Sequence, residues 1–136
     1  QPFGDHTLGE ELLLPTRIYV RSVLALLGKF PVRGMAHITG GGILENLPRT
    51  LPDGLGARID TNSWPTPEIF TWLQNKGGIM DEEMYRTFNQ GIGMILCVSQ
   101  EDSPEMIQFL QQQGEQAFLI GEVITEATSA VELTAN

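Results

Sequence analysis

The sequence predicts a β-sheet with helices packed on it. Segments with helical periodicity alternate with short apolar runs of strand length, and such alternation builds a layered fold. One run, residues 91–98, is apolar on both faces, which suits a central strand covered by helices. The chain has 136 residues, 41% of them hydrophobic, which makes one domain with enough material for a core.

Residues 1–14 carry no clear period and read as a surface segment. Thr16 is placed to cap a helix, with Ile18, Val20, Val23, Leu24, Leu26 and Leu27 as its apolar stripe and Gly28 as its stop. Residues 33–38 form a strand ending at Thr39-Gly40-Gly41-Gly42, and a short helix over 43–47 stops before Pro48. Pro52-Asp53-Gly54 is a turn before a strand over 56–60. Thr66 caps the next helix with Pro67 in its first turn, and Ile69, Phe70, Trp72 and Leu73 are its buried positions. An acidic helix covers 80–87. After the strand at 91–98, Asp102 or Ser103 caps a helix over 104–113 whose Met106, Ile107, Phe109 and Leu110 point inward. Residues 117–124 are the last strand, and 125–136 form a frayed tail or a short terminal strand.

The net charge of −9 argues against nucleic acid and anionic membranes as partners. No apolar run approaches the ~20 residues of a membrane helix, and no basic-then-apolar leader opens the chain. The chain starts at Gln1 without a Met, which reads as a fragment or a processed product. The single Cys97 lies in an apolar run and reads as a buried small hydrophobe; one cysteine cannot form an internal disulfide, which is compatible with a cytoplasmic location. No cysteine–histidine cluster has zinc spacing and no G-x-x-x-x-G-K-[ST] loop is present. No metal ligands and no nucleophilic triad are assigned.

Charge is unevenly spread. Residues 12–58 hold Arg17, Arg21, Lys29, Arg33, Arg49 and Arg58 against Glu45 and Asp53, a net of +4, whereas 59–136 carry a net of −10. The three glycines lie in the one basic stretch. A glycine turn between a strand and a helix presents free backbone N–H groups, the geometry of an anion site; a lone glycine run also serves as a plain turn. His37 stands two residues before it, either at a site or as a hydrogen-bonded core residue. The Thr39 hydroxyl can donate to a phosphate or cap the turn. Asn46 can touch a ligand or satisfy the turn, and Arg49 can reach an anion or sit solvated. Asn89-Gln90-Gly91-Ile92-Gly93 is a second candidate: its glycines allow close approach of a ligand or of a packed helix.

Four stretches in order carry a specific likeness: L-L-L-P-T-R-I-Y-V-R-S-V at 12–23, A-H-I-T-G-G-G-I-L-E-N-L-P-R at 36–49, S-W-P-T-P-E-I-F-T-W-L-Q at 63–74, and E-E-M-Y-R-T-F-N-Q-G-I-G-M at 82–94. Together they resemble the C-terminal half of the aminoimidazole ribonucleotide synthetases, the phosphoribosylformylglycinamidine cyclo-ligases of purine synthesis. The family usually carries Cys where this chain has Gln90. The resemblance implies an α+β fold, a mixed sheet packed with helices and partly ferredoxin-like, over 17–124, with 1–16 leading in from a missing N-terminal domain and 125–136 as a C-terminal tail. It implies a cytoplasmic ligase that converts formylglycinamidine ribonucleotide to aminoimidazole ribonucleotide: ATP activates the formyl oxygen, an internal nitrogen attacks, and ADP and phosphate leave. ATP and Mg²⁺ would be bound mainly by the absent N-terminal domain, which would also supply homodimer contacts. Site residues implied here are His37 as catalytic, with Thr39, Gly40, Gly41, Gly42, Asn46, Arg49, Asn89 and Gly91 holding substrate or phosphate. Two alternatives stay open: another member of the same ATP-dependent superfamily, of selenophosphate synthetase or hydrogenase-maturation type, and a domain that serves assembly alone.

Overall fold

A computed structural model describes residues 1–135 of the chain. Its elements run β1 (Pro2–Phe3), β2 (His6–Thr7), α1 (Leu8–Leu12), α2 (Val20–Leu27), β3 (Gly34–His37), α3 (Gly42–Asn46), a 3₁₀ turn (Leu47–Thr50), β4 (Leu55–Asp60), α4 (Glu68–Gly77), α5 (Asp81–Thr87), β5 (Met94–Cys97), α6 (Ser103–Gln112), β6 (Gly121–Thr125) and β7 (Val131–Thr134). Helices and small sheets make the expected α+β architecture. The sheet is divided: β3 pairs antiparallel with β5, while β4 lies between antiparallel β6 and parallel β7.

Several expectations are corrected. Residues 1–14 are structured: β1 and β2 form a hairpin, and Thr7 caps α1. The Thr7 hydroxyl accepts from the Glu10 N–H at 3.3 Å, while the Glu10 carboxylate accepts from the Thr7 N–H at 2.8 Å. That reciprocal box is a local signal, T-x-x-E, that hydrophobic periodicity does not register. Thr16 caps nothing, because α2 starts four residues later. Arg17 instead reaches across to Glu115 at 2.8 Å and to the Gly114 carbonyl at 3.1 Å. Thr66 is not the cap of α4, whose cap position is Pro67. At α6, Asp102 holds the cap position without a side-chain hydrogen bond to the helix; its carboxylate accepts from the Ser99 hydroxyl at 2.6 Å, and Ser103 donates to the Gln100 carbonyl. Strand β5 is not central, since it pairs with β3 alone. The short helix does stop before Pro48, at Asn46, and the chain then tightens into a 3₁₀ turn that includes the proline.

The core joins both sheets. Ala36, Ile38, Ile43, Leu47, Ala57, Ile59, Trp64, Ile92, Ile95 and Val131 are buried together. Trp64 spends its one polar atom on the Gln90 carbonyl, at 2.9 Å. Phe30 of the α2 side meets Phe109 of α6 edge to face at 5.9 Å. Cys97 sits half-buried on β5, and burial pushes its thiol up, opposed by Thr50.

Of the two expectations for residues 125–136, the strand forms; Asn136 lies outside the described residues. Val131 is buried in the core, and Thr61 donates both its N–H and its hydroxyl to the Thr134 carbonyl. Deleting residues 127–136 should therefore remove at least the ~1.5–3 kcal/mol of burying one Val. The melting temperature should fall by on the order of 10 °C. An unchanged thermal transition would show that β7 contributes nothing to the fold.

Candidate functional site

The two stretches singled out in the sequence meet in space. Strands β3 and β5 are registered His37 to Met94, and just beyond that pair the Ile38 N–H donates to the Gly93 carbonyl at 2.9 Å. On the other side of the turn, a Cβ on Gly42 would overlap the Tyr85 carbonyl and stand 3.0 Å from the Phe88 oxygen. The glycine turn and the 89–93 loop are thus adjacent, held by a sheet pair at one end and by the α3–α5 packing at the other.

The three glycines have different reasons. Gly40 is open, with nothing near a would-be Cβ. Gly41 has φ +99° and Gly42 φ +58°, values that favour glycine. The turn closes on itself: the Gly42 N–H donates to the Thr39 carbonyl at 2.9 Å. Asn46 is buried, and its Nδ2 donates to the carbonyls of Thr39, Gly40 and Gly42 at 3.3, 3.2 and 2.9 Å. Of the two roles open to Asn46, the structure gives it that of satisfying the turn, since its amide donors are committed to the backbone.

His37 is exposed, so the core-histidine alternative does not hold. Its ring meets Tyr19 edge to face, 6.2 Å between centroids. Thr39 is exposed, and its hydroxyl makes no hydrogen bond among the described residues. Arg49 is exposed on the 3₁₀ turn and forms no ion pair among them. His37, Thr39, Gly40, Arg49 and Gly91 are therefore the predicted residues with side chain or backbone turned to solvent.

The second stretch is committed to packing. Asn89 Oδ1 accepts from the Gly91 N–H at 2.9 Å, and Gly91, at φ +95°, stands where a Cβ would meet Pro67 Cδ at 2.5 Å. Gln90 holds φ +53° and is 4% exposed; its Oε1 is buried with no partner among the described residues. Asn89 and Gly91, expected to bind a ligand, here shape the loop and admit Pro67.

Two residues were missed. The Glu45 carboxylate leans over the turn: a Cβ on Gly41 would stand 2.7 Å from its Oε2. Its place in the first turn of α3, four residues after Gly41, was the available signal. Tyr19 was missed because only tertiary packing sets it beside His37. Two cavities flank the region, one of about 820 Å³ behind Leu44 and Tyr85 and one of about 710 Å³ between α2, α6 and β5; neither is lined by His37 or by residues 39–42. Among the described residues no group of three acidic, histidine or cysteine side chains is placed to hold a metal ion. No described helix is long and apolar enough to cross a membrane.

Comparison with known proteins follows the same lines. The chain is 53% identical over 123 residues to a phosphoribosylformylglycinamidine cyclo-ligase of Geobacillus thermodenitrificans, covering 90% of this chain and 36% of that protein. It is 55% identical over 122 residues to the enzyme of that name from Bacillus licheniformis, covering 90% and 35%. The chain thus spans about a third of the length of these relatives. Among solved structures, E. coli HypE is similar in fold, with a TM-score of 0.66 at 20% identity, over 93% of this chain and 40% of that one. The family model described as AIR synthase related protein, C-terminal domain, matches residues 1–134, and the chain belongs to that family.

Proposed function

We propose that this chain is the C-terminal domain of an ATP-dependent cyclo-ligase that converts formylglycinamidine ribonucleotide to aminoimidazole ribonucleotide, with release of ADP and phosphate. The observation that carries this is identity above 50% over nine-tenths of the chain to proteins named for that activity. The 20% likeness to HypE supports the fold and does not compete for the activity. In this reading the domain walls one side of a cleft, and exposed His37, Thr39 and Gly40, with Arg49, face the phosphorylated substrate. ATP would meet the substrate across that cleft. Mg²⁺, with most of the ATP contacts, is assigned in this reading to the two-thirds of the relatives that this chain does not span. Homodimer contacts are assigned to that part too. An apolar strip supports such a neighbour: Leu13, Leu14, Ile18, Val20 and Leu24 are each more than 60% exposed, a patch that invites cover by a further domain. A cytoplasmic location goes with this reading.

Within the site, His37 donates a hydrogen bond to substrate, and free N–H groups of the turn stabilise developing negative charge. Glu45 modifies the picture. Its carboxylate borders the turn on one side, so an anion enters from the Gly40 side, where the turn is open, with Arg49, close in sequence and without an ion pair among the described residues, as the candidate cation. A purely structural role is favoured by the commitments of Asn46, Asn89 and Gly91 to backbone and packing, and the experiments below separate it.

The 136-residue chain alone should not turn over ATP. Clear cyclo-ligase activity from it, free of contaminating enzyme, would refute the two-domain reading. In a complete cyclo-ligase carrying this domain, Gly41→Val places a β-branched residue at positive φ against Glu45. That strain costs about 1–3 kcal/mol of stability, and substrate affinity and rate should fall further than the loss of folded protein explains. An unchanged Michaelis constant for the ribonucleotide at full folding would favour the structural role. His37→Gln is the sharper test. Because His37 is exposed, melting temperature should barely move, while the rate should drop by roughly 10²-fold, as for loss of a positioned donor. A wild-type rate per folded enzyme would remove His37 from the site.

A further inference from the structure

We propose that Tyr19 is the positioning residue of His37, and that Gly93 is glycine because the Tyr19 phenol occupies the space of its side chain. The proposal rests on the reading of His37 as a site residue, and it adds what holds the imidazole in place.

An exposed histidine on a strand has free rotation unless something stops it. The His37 side chain makes no hydrogen bond among the described residues; its ring contact is Tyr19, at 6.2 Å and 73° between planes. This is the edge-to-face arrangement that aromatic quadrupoles favour. Tyr19 is itself fixed. Glu115 binds both flanks of it, taking the Arg17 guanidinium at 2.8 Å and the Ser22 hydroxyl at 2.6 Å. The phenol then passes over Gly93, where a Cβ would overlap its hydroxyl and lie 3.2 Å from Cε2. Gly93 is also the residue whose carbonyl receives the Ile38 N–H, so the strand pair carrying His37 and the ring that braces it are built on one glycine. Burial pushes the Tyr19 phenol up, with Arg17 opposing and Glu115 adding. The ring therefore stays protonated and neutral at physiological pH.

The braced ring predicts a spectroscopic signature in the 136-residue chain. Wild type should show nuclear Overhauser contacts between the Tyr19 and His37 rings, and His37 ring protons shifted by the neighbouring aromatic current. Tyr19→Phe should keep both. Tyr19→Leu, and independently Gly93→Ala with Tyr19 intact but displaced, should move the His37 signals to solvent-exposed values with the remaining amide spectrum preserved. Absence of the contact in wild type, or unchanged His37 signals in a folded Tyr19→Leu variant, would overturn the proposal; the wild-type spectrum decides even where a variant does not fold. In a complete cyclo-ligase, Tyr19→Leu should lower kcat roughly 2- to 10-fold, the range of one aromatic contact, with KM little changed and Phe restoring the rate. If His37→Gln lowers the rate and Tyr19→Leu does not, the positioning role fails alone. If the rings touch and His37→Gln leaves the rate intact, the catalytic reading of His37 fails and the brace stands.

Discussion

Gly42 has no room for a side chain, because the carbonyl of Tyr85 lies where its Cβ would be. The rest of the site follows from this contact. It lets α3 sit directly on the backbone of α5, which sets the end of α5 and therefore the start of the 89–93 loop. That loop then meets Pro67 through Gly91 and the Tyr19 ring through Gly93. Any larger residue at 42 would push α5 away, and Met84, 1% exposed in the α5 interior, would lose its burial with it. A short helix of five residues has little stability of its own. α3 is stable here because Ile43 and Leu47 are buried in the core and because Asn46 ties three turn carbonyls to it.

The elements most legible in the sequence are those set by local pattern. β3, β4, α5 and the turn at 39–42 fall within a residue or two of expectation, since alternating apolar runs, Gly and Pro fix them over short distances. What local pattern could not set was partnership. β5 reads as a central strand by its apolar content, yet it pairs only with β3, and only Ile95 of its four residues is buried. Thr16 reads as a cap by type, but Arg17 is held by Glu115, 98 residues away, and the helix waits until that ion pair has been passed. β7 has no strong period, and its place beside β4 depends on Val131 finding the core.

The candidate site divides the same way. Type and spacing located the turn and His37, and the structure leaves His37, Thr39 and Gly40 open to solvent. Asn46, Asn89 and Gly91 have the composition of a binding loop, but their hydrogen bonds and contacts lie within the protein. Buried polar groups are satisfied wherever the backbone offers carbonyls, so an asparagine next to a glycine turn is used by the turn before any ligand arrives. Sequence alone cannot distinguish these cases, because both need the same residue at the same spacing.

Charge adds the last constraint. The turn lies in the basic stretch of an acidic chain, and two of its six cations are spent elsewhere. Arg17 pairs with Glu115, and Arg58 is shared between Glu122 and Glu132 across the three-stranded sheet. Arg49 remains as an unpaired cation among the described residues close in sequence to the turn, while Glu45 brings a negative charge against Gly41. The local field is therefore uneven, with open backbone at Gly40 and a carboxylate against Gly41. Such a field binds a bare anion less strongly than a basic cluster would, but it orients a ligand that carries a phosphate at one end and a polar, donor-rich group at the other. In the proposed function that ligand is the ribonucleotide, and the asymmetry would fix which end lies against Gly40.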